Sequence, residues 1–208
     1  IKYSNQYLQD IIRTTGVTKS ALRITSNIND ELYKSFKQSD NKDKVVHEFL
    51  GKFNDDFTYN HSYLTAIICT YIANKLKWNT QSIISKLITA SLLHDTGMEN
   101  IENVALHDLF PEKMTTLNTE DKKDILFHSH NLADTLLQNP SFDKETIGII
   151  RQSHENPRGT GYPLKLLEKD LSSVVGVFLV SHDFVIEFYR HNFDYEKMPI
   201  IIKTLARR

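Results

Sequence analysis

Apolar residues recur at intervals of three and four along most of this chain of 208 residues, the spacing that aligns side chains on one face of an α-helix. Convincing alternation of apolar and polar residues, which would indicate half-buried strands, is absent. Seven glycines and five prolines are few for a domain built from strands and tight turns. We therefore predict an all-α fold.

Composition excludes several classes of protein. A hydrophobic content of 40% is too high for wholesale disorder. The 25 Lys and Arg residues are balanced by 26 Asp and Glu residues, so nothing favours DNA as a partner. No segment approaches the roughly 20 apolar residues of a membrane span. The single cysteine, Cys69, allows no internal disulfide and suits the reducing cytosol, so we expect a cytoplasmic protein with no membrane span.

The pattern divides the chain into two parts. Residues 1–43 are interpreted as a short helical N-terminal segment with breaks at residues 14–16 and 26–27, and residues 44–208 as the main domain. Within the main domain the periodicity predicts helices near 44–54, 60–77, 81–95, 119–138, 143–154 and 172–191.

Two segments of the main domain are predicted to be irregular. Residues 96–118 form a long connection that contains Gly97 and Pro111. Residues 155–170 hold two prolines and two glycines within a few positions, which a helix does not tolerate. Long ordered loops in compact domains tend to be functional.

Nine histidines are many for this length, and His94-Asp95 is the pair that stands out. Asp95 continues the apolar stripe of its helix, and a buried carboxylate is costly unless it is paired or binds a metal. The alternative is an ordinary helix end, with Asp95 exposed and Gly97 as the stop.

Other histidines fall on the apolar faces of neighbouring helices. They are His61, His128, His154 and His182, the last followed by Asp183. Each alone is more often a core residue than a ligand, but together they favour a metal site of imidazole and carboxylate ligands, which suits Fe, Mn, Zn or Ni. His47 and His107 are interpreted as surface or loop residues.

These residues occur in an order that resembles the HD-GYP domain, a branch of the HD metal-dependent phosphohydrolases. The order is His61, His94-Asp95 with Gly97, His128, His154-Glu155 and then Gly159-Thr160-Gly161-Tyr162-Pro163. The resemblance covers about residues 57–195. It implies an HD-type helical bundle with a Gly-Tyr-Pro loop and hydrolysis of the bacterial second messenger cyclic di-GMP.

The resemblance also implies roles for individual residues. His61, His94 and Asp95 would bind one metal, and Asp95 would bridge to a second metal held by His128 and His154. The late metal ligand falls on His182, with Asp183 one step away, and either residue is a ligand type. Two divalent ions, Fe or Mn, are therefore expected, with Asp95 and His94 as catalytic residues. The substrate would be contacted by the loop residues Arg158, Gly159, Gly161, Tyr162 and Pro163.

Several positions depart from the family pattern. Ser153 stands where the first histidine of a pair is expected, and Met98 stands where a lysine is expected. Phe57 replaces an acidic residue, Arg158 replaces an aspartate, and His191 replaces an arginine. These changes affect phosphate contacts more than the metal core.

The departures leave more than one function open. The first is a cyclic di-GMP phosphodiesterase of low activity. The second is a non-catalytic module that senses cyclic di-GMP or docks diguanylate cyclase partners. A nucleotidase or (p)ppGpp-type hydrolase of the wider HD superfamily would leave the Gly-Tyr-Pro run unexplained.

Overall fold

The computed structural model describes residues 2–50 and 56–207, and this part of the chain is built from helices, turns and loops. Its α-helices are Lys2–Thr15 (α1), Lys19–Gln38 (α2), Lys42–Leu50 (α3), Phe57–Lys75 (α4), Gln81–Leu93 (α5), Glu102–Leu109 (α6), Thr119–Leu137 (α7), Lys144–Arg151 (α8), Ser173–Arg190 (α9) and Met198–Leu205 (α10). Short 3₁₀ helices occupy Pro111–Thr116, Glu168–Asp170 and Tyr195–Lys197. The described ranges contain no β-strand, and the all-α prediction is confirmed.

Helix α4 lies at the centre of the fold. Residues on all of its sides are buried, as expected of a helix surrounded by others. Helices α5 and α9 pack against it most extensively, and α1, α2 and α3 add further contacts. Leu8 and Ile12 of α1 and Leu32 and Phe36 of α2 belong to the same hydrophobic cluster as α4. The domain boundary that we proposed at residue 43 stays a prediction. Helices α1 and α2, which precede it, pack on the same core as α4.

The structure changes some of the predicted helix limits. The break expected at residues 26–27 is absent, because α2 continues through it on the buried stripe Thr25, Ile28 and Leu32. Packing of that stripe outweighs the weak helix propensity of Ser and Asn. Residues 51–54 of the helix predicted at 44–54 lie outside the described residues. Helix α10 was not predicted.

The connection predicted to be irregular at 96–118 contains helix α6 and the 3₁₀ helix Pro111–Thr116. That prediction was therefore wrong for much of the segment. Helix α6 has only 8 residues, and its buried side chains are Asn103, Val104, His107 and Asp108. Because most of this buried face is polar, the hydrophobic periodicity that reveals other helices is missing.

The helices of the described ranges include no candidate for a membrane span. Within these ranges, no helix has both the length and the apolar character that crossing a bilayer requires.

Candidate metal centre

Six histidines and two aspartates meet between the helices. They are His61 on α4, His94 and Asp95 at the end of α5, His107 and Asp108 on α6, His128 on α7, His154 after α8, and His182 on α9. Their side chains are at most 5% exposed. They form overlapping groups, and the ligand atoms of each group lie within 4.8 Å of one another.

Backbone carbonyls fix the tautomers of His61, His94 and His128. The Nδ1 atom of each ring lies 2.8 Å from a carbonyl oxygen of its own helix, three or four residues earlier. A carbonyl oxygen can only accept a hydrogen bond, so Nδ1 carries the proton. The lone pair of Nε2 is therefore free, which is the form in which a neutral histidine binds a metal.

The Nε2 atoms of three histidines converge on the carboxylate of Asp95. His61 Nε2 lies 3.0 Å from Oδ2, whereas the Nε2 atoms of His128 and His154 lie 3.2 and 3.1 Å from Oδ1. Carboxylate oxygens and imidazole lone pairs are all electron-pair donors and repel one another unless cations lie between them. The donor set therefore fits two divalent cations that share Asp95.

The histidines also approach one another in pairs. The Nε2 atoms of His94 and His182 are 3.2 Å apart, and those of His128 and His154 are 3.0 Å apart. The first pair joins His61 in one group of ligand atoms, and the second pair joins Asp95 and His107 in another. The site thus has two halves, and each half offers imidazole nitrogens of the kind that bind Fe, Mn or Zn.

Electrostatics favour the protonation states that metals need at His94, His154 and Asp95. Burial lowers the pKa of His94 well below its usual value and lowers the pKa of His154 to about 3. Burial alone would raise the pKa of Asp95, but His94 and the ring nitrogens of the other histidines outweigh it, so this pKa lies well below its usual value. Neutral imidazoles around an ionised carboxylate are the forms that coordinate a divalent ion.

We expect EDTA-treated protein to lose stability as the pH falls below about 6.5. The pKa values of His94 and His154 are lower in the folded protein than in the unfolded chain. The unfolded state therefore takes up protons first, and the free energy of unfolding falls by up to about 1.4 kcal/mol per pH unit for each histidine. His182 has a raised pKa because Asp108 outweighs its burial, so its contribution is lost only as the pH rises above 6.5.

Urea unfolding between pH 7 and pH 5 measures the slope of the free energy of unfolding against pH. The variant His154→Gln removes one of the two responsible groups and should make the slope shallower. An unchanged slope in this variant would contradict the assignment.

The segment after α8 folds back over His154. The Glu155 carboxylate accepts hydrogen bonds from the backbone N–H groups of Leu164 and Leu166, at 2.7 and 2.8 Å. Gly161 passes so close to the Glu155 and Asn156 backbone that a Cβ atom would lie about 2.5 Å from it. The ring of Tyr162 stacks on His154 with 5.2 Å between centroids. The loop is therefore held directly beside the histidine cluster.

A cavity of about 220 Å³ opens beside the cluster. Its lining includes Tyr162 and Gly161 on one side and Asp183 and Arg190 of α9 on another. The Tyr162 hydroxyl is buried and has no hydrogen-bond partner among the described residues. Burial, with Asp108 and Asp95 nearby, raises its pKa well above the usual value, so this hydroxyl stays protonated and can donate a hydrogen bond into the cavity.

The structure brings together some, but not all, of the residues proposed from the sequence. The cluster includes His61, His94, Asp95, His128, His154 and His182. Asp183 lines the cavity but belongs to none of the ligand groups found among the described residues. Arg158 is exposed and does not line the cavity. Gly159 and Pro163 are likewise outside the lining, with Gly159 at a positive φ of 72° and Pro163 after a cis peptide bond.

The sequence interpretation missed His107 and Asp108. His107 was expected at the surface or in a loop, which is wrong, because it is 6% exposed, lies on α6 and faces the cluster. His107-Asp108 is a further His-Asp pair beside His94-Asp95 and His182-Asp183, and this was the available signal.

Arg13 of α1 supports the turn that carries Asp95. Its guanidinium donates hydrogen bonds to the backbone carbonyls of Met98, at 2.5 Å, and Asp95, at 3.1 Å. Both carbonyls belong to the turn that follows α5. The N-terminal segment therefore takes part in positioning the cluster.

Replacing Arg13 by glutamine is expected to lower the free energy of unfolding by about 1–3 kcal/mol, because hydrogen bonds from a charged donor are lost at a half-buried position. We also expect metal affinity to fall about 10-fold or more, as for other groups that orient ligands. Chemical denaturation and metal titration measure both effects. The exposed Arg23 of α2 gives the matched control Arg23→Gln, and equal behaviour of the two variants would contradict the role of Arg13.

Comparison with known proteins places this arrangement in a family. A family model described as an HD domain matches residues 44–185. The cyclic di-GMP phosphodiesterase PA4108 of Pseudomonas aeruginosa is 26% identical over 121 residues, which cover 58% of this chain and 28% of that protein. Bd1817, an HDG"Y"P protein from Bdellovibrio bacteriovorus, matches in structure with a TM-score of 0.70 at 20% identity, over 90% of this chain and 59% of that one.

The chain thus spans less than two thirds of the length of either relative. The family match covers most of the chain and includes the histidine cluster, and the structural match shows the same fold. The protein belongs to the HD-domain family, and the resemblance to its HD-GYP branch is confirmed.

Proposed function

We propose that the protein is a metal-dependent phosphohydrolase that cleaves a phosphodiester bond of cyclic di-GMP. The observation that carries this proposal is the convergence of histidine Nε2 atoms on Asp95 beside an open cavity. The relative PA4108 also supports the proposal, because that protein is named a cyclic di-GMP phosphodiesterase. The metals are proposed to be Fe or Mn, since the donor set is imidazole and carboxylate without thiolate.

The residues of the cluster and Tyr162 would have different roles in this reaction. Asp95 and His94 hold the centre of the site, and His61, His128, His154 and His182 surround them. Bound divalent metals would acidify a water molecule and polarise the phosphoryl oxygens. The Tyr162 hydroxyl would donate a hydrogen bond to a phosphate oxygen, because it is buried, protonated and unpaired among the described groups.

The cavity limits how the substrate binds. Its volume of about 220 Å³ is below the roughly 300–1,000 Å³ of pockets that enclose a whole small ligand. One phosphodiester group and its sugar would enter, while the bases stay outside. Arg190 would supply positive charge at the rim, where its guanidinium is held by Glu187 at 2.8 Å and by the backbone carbonyl of Asp108.

A second candidate function is a module that binds cyclic di-GMP without turnover. The observation that favours it is the position of Met98, which is 2% exposed within an apolar cluster. The side chain at the position where the family resemblance implies a lysine therefore carries no positive charge. Docking of diguanylate cyclase partners stays a prediction. The exposed Leu164 and Leu167 follow the Gly-Tyr-Pro run of the loop that would serve it.

Anaerobic reconstitution with Fe²⁺ or Mn²⁺, followed by chromatography of cyclic di-GMP reaction mixtures, tests the first function. Calorimetric titration of the nucleotide in Ca²⁺ buffer tests binding alone. Hydrolysis that EDTA abolishes supports the phosphodiesterase, and binding without hydrolysis supports the module. Neither binding nor hydrolysis would contradict both. The control His130→Ala alters a partly exposed histidine outside the cluster.

A further inference from the structure

His107 repeats the geometry of the other cluster histidines, although no motif of the sequence includes it. Its Nδ1 atom lies 2.8 Å from the backbone carbonyl of Asn103, one turn earlier on α6. The proton is therefore on Nδ1, and the lone pair of Nε2 is free. This Nε2 atom is buried and has no hydrogen-bond partner in the described part of the chain. It groups with the ligand atoms of Asp95, His128 and His154.

Asp108 lies between the two halves of the cluster. Its Oδ1 atom is 3.3 Å from His107 Nε2, and its Oδ2 atom is 3.4 Å from His182 Nε2. Oδ2 is buried and, apart from this contact with His182, has no polar partner among the described groups. A buried carboxylate oxygen with so few partners is unfavourable unless a cation satisfies it.

Polar contacts hold α6 in this position. The Asn103 side chain donates to Asp121 at 3.0 Å and to Asp124 at 3.2 Å, both on α7. The Asp124 carboxylate also accepts the backbone N–H groups of Glu99 and Asn100. Helix α6 is therefore fastened to α7 through the buried side chain of Asn103, one turn before His107, and this holds His107 and Asp108 in the cluster.

We propose that His107 and Asp108 are metal ligands, with Asp108 as a second bridging carboxylate opposite Asp95. This inference rests on the proposed function, because it concerns the metals which that function requires. One metal would then be held by His61, His94 and His182, and the other by His107, His128 and His154. Both carboxylates would then be shared by the two metals.

The proposal explains how the site tolerates Ser153. This residue is buried, and its hydroxyl has no hydrogen-bond partner among the described residues. A neutral hydroxyl is a weak ligand for the metals that imidazole suits. His107 supplies the third imidazole of that half from a different helix.

Metal content tests the proposal without any need for substrate. The purified chain, His107→Phe and Asp108→Asn are loaded with Mn²⁺, passed through a desalting column and measured by elemental analysis and electron paramagnetic resonance. Phe keeps the ring volume of His107, and Asn keeps the shape of Asp108. His130→Phe, on α7 beside the cluster, is the matched control. Circular dichroism of EDTA-treated samples verifies folding, and His107→Gln replaces the Phe variant if that variant does not fold.

We expect two Mn²⁺ per chain in the unaltered protein and the control. We expect one in His107→Phe, with the signal of isolated Mn²⁺, and at least about 10-fold weaker binding in Asp108→Asn. Two tightly held ions in both variants would overturn this inference alone. No metal in the unaltered protein would overturn it together with the metal centre of the proposed function. The expected metal losses without cyclic di-GMP hydrolysis would overturn only the proposed substrate.

Discussion

Replacing Asp95 by asparagine is expected to remove both metals and to lower phosphodiesterase activity about 100-fold or more. The reason is that its two carboxylate oxygens face different histidines, His61 on one side and His128 with His154 on the other. An amide has lost the negative charge and half of the acceptor capacity that a bridging ligand needs. Elemental analysis after Mn²⁺ loading measures the loss.

A residue that contacts only one oxygen of Asp95 provides the comparison with Asp95→Asn. His128 contacts only Oδ1 of Asp95, so His128→Phe should lose one metal and retain the other. EDTA-treated Asp95→Asn should remain folded, because Asn is isosteric with Asp. If Asp95→Asn still binds two ions per chain, Asp95 is not the bridge.

The sequence was informative wherever a functional side chain lies on an apolar stripe. His128 follows Ile125 on the buried face of α7, and His182 follows Phe178 on the buried face of α9. Such a residue must enter the interior for the same reason as its apolar neighbours. Most helices and most of the clustered histidines could therefore be predicted from hydrophobic periodicity alone.

The choice between His182 and Asp183 was left open by the motif. Successive residues of a helix point about 100° apart, so the two side chains cannot face the same point. His182 is 3% exposed and lies in the ligand groups, whereas Asp183 borders the cavity. The apolar stripe of α9, which includes His182, therefore distinguishes the two positions.

Helix α6 could not be predicted because its interior face is polar. Asn103, His107 and Asp108 are buried, yet by composition they are typical of a solvent-exposed surface. Burial of such a face is stable only when partners satisfy it, and those partners come from distant parts of the chain. Hydrophobic periodicity carries no information about contacts of this kind.

The surroundings of Phe57 and Met98 also could not be predicted from the sequence, in this case because apolar residues stand where charged ones are expected. Each departs from the family resemblance by replacing a charged residue with an apolar one. The structure places both in a single apolar cluster with Val104, Ile125 and Ile186, and Phe57 stacks on the ring of His61 with 4.6 Å between centroids. The two departures from the family pattern therefore belong to one local change, in which apolar residues replace charged ones beside the histidine cluster.

Met98→Lys is therefore expected to destabilise the protein by about 3 kcal/mol, because it places an ammonium group in an apolar cluster. From the sequence alone, the same substitution would be expected to restore a phosphate contact and raise the hydrolysis rate. Burial makes the loss of stability the dominant effect, and it should shrink as the pH rises and the lysine becomes neutral. Urea unfolding at pH 7 and pH 9.5 measures both effects.

Two further variants separate charge from packing at this position. Met98→Leu keeps the apolar volume and should cost less than about 1.5 kcal/mol. The double variant Phe57→Glu/Met98→Lys places opposite charges in the same cluster and should cost less than the sum of its two single changes, since each charge then has a partner. A stable Met98→Lys protein whose stability does not vary with pH would show that the side chain reaches solvent or the metal centre. In that case the apolar cluster does not explain the missing lysine, and a gain in hydrolysis by Met98→Lys would become the expected result.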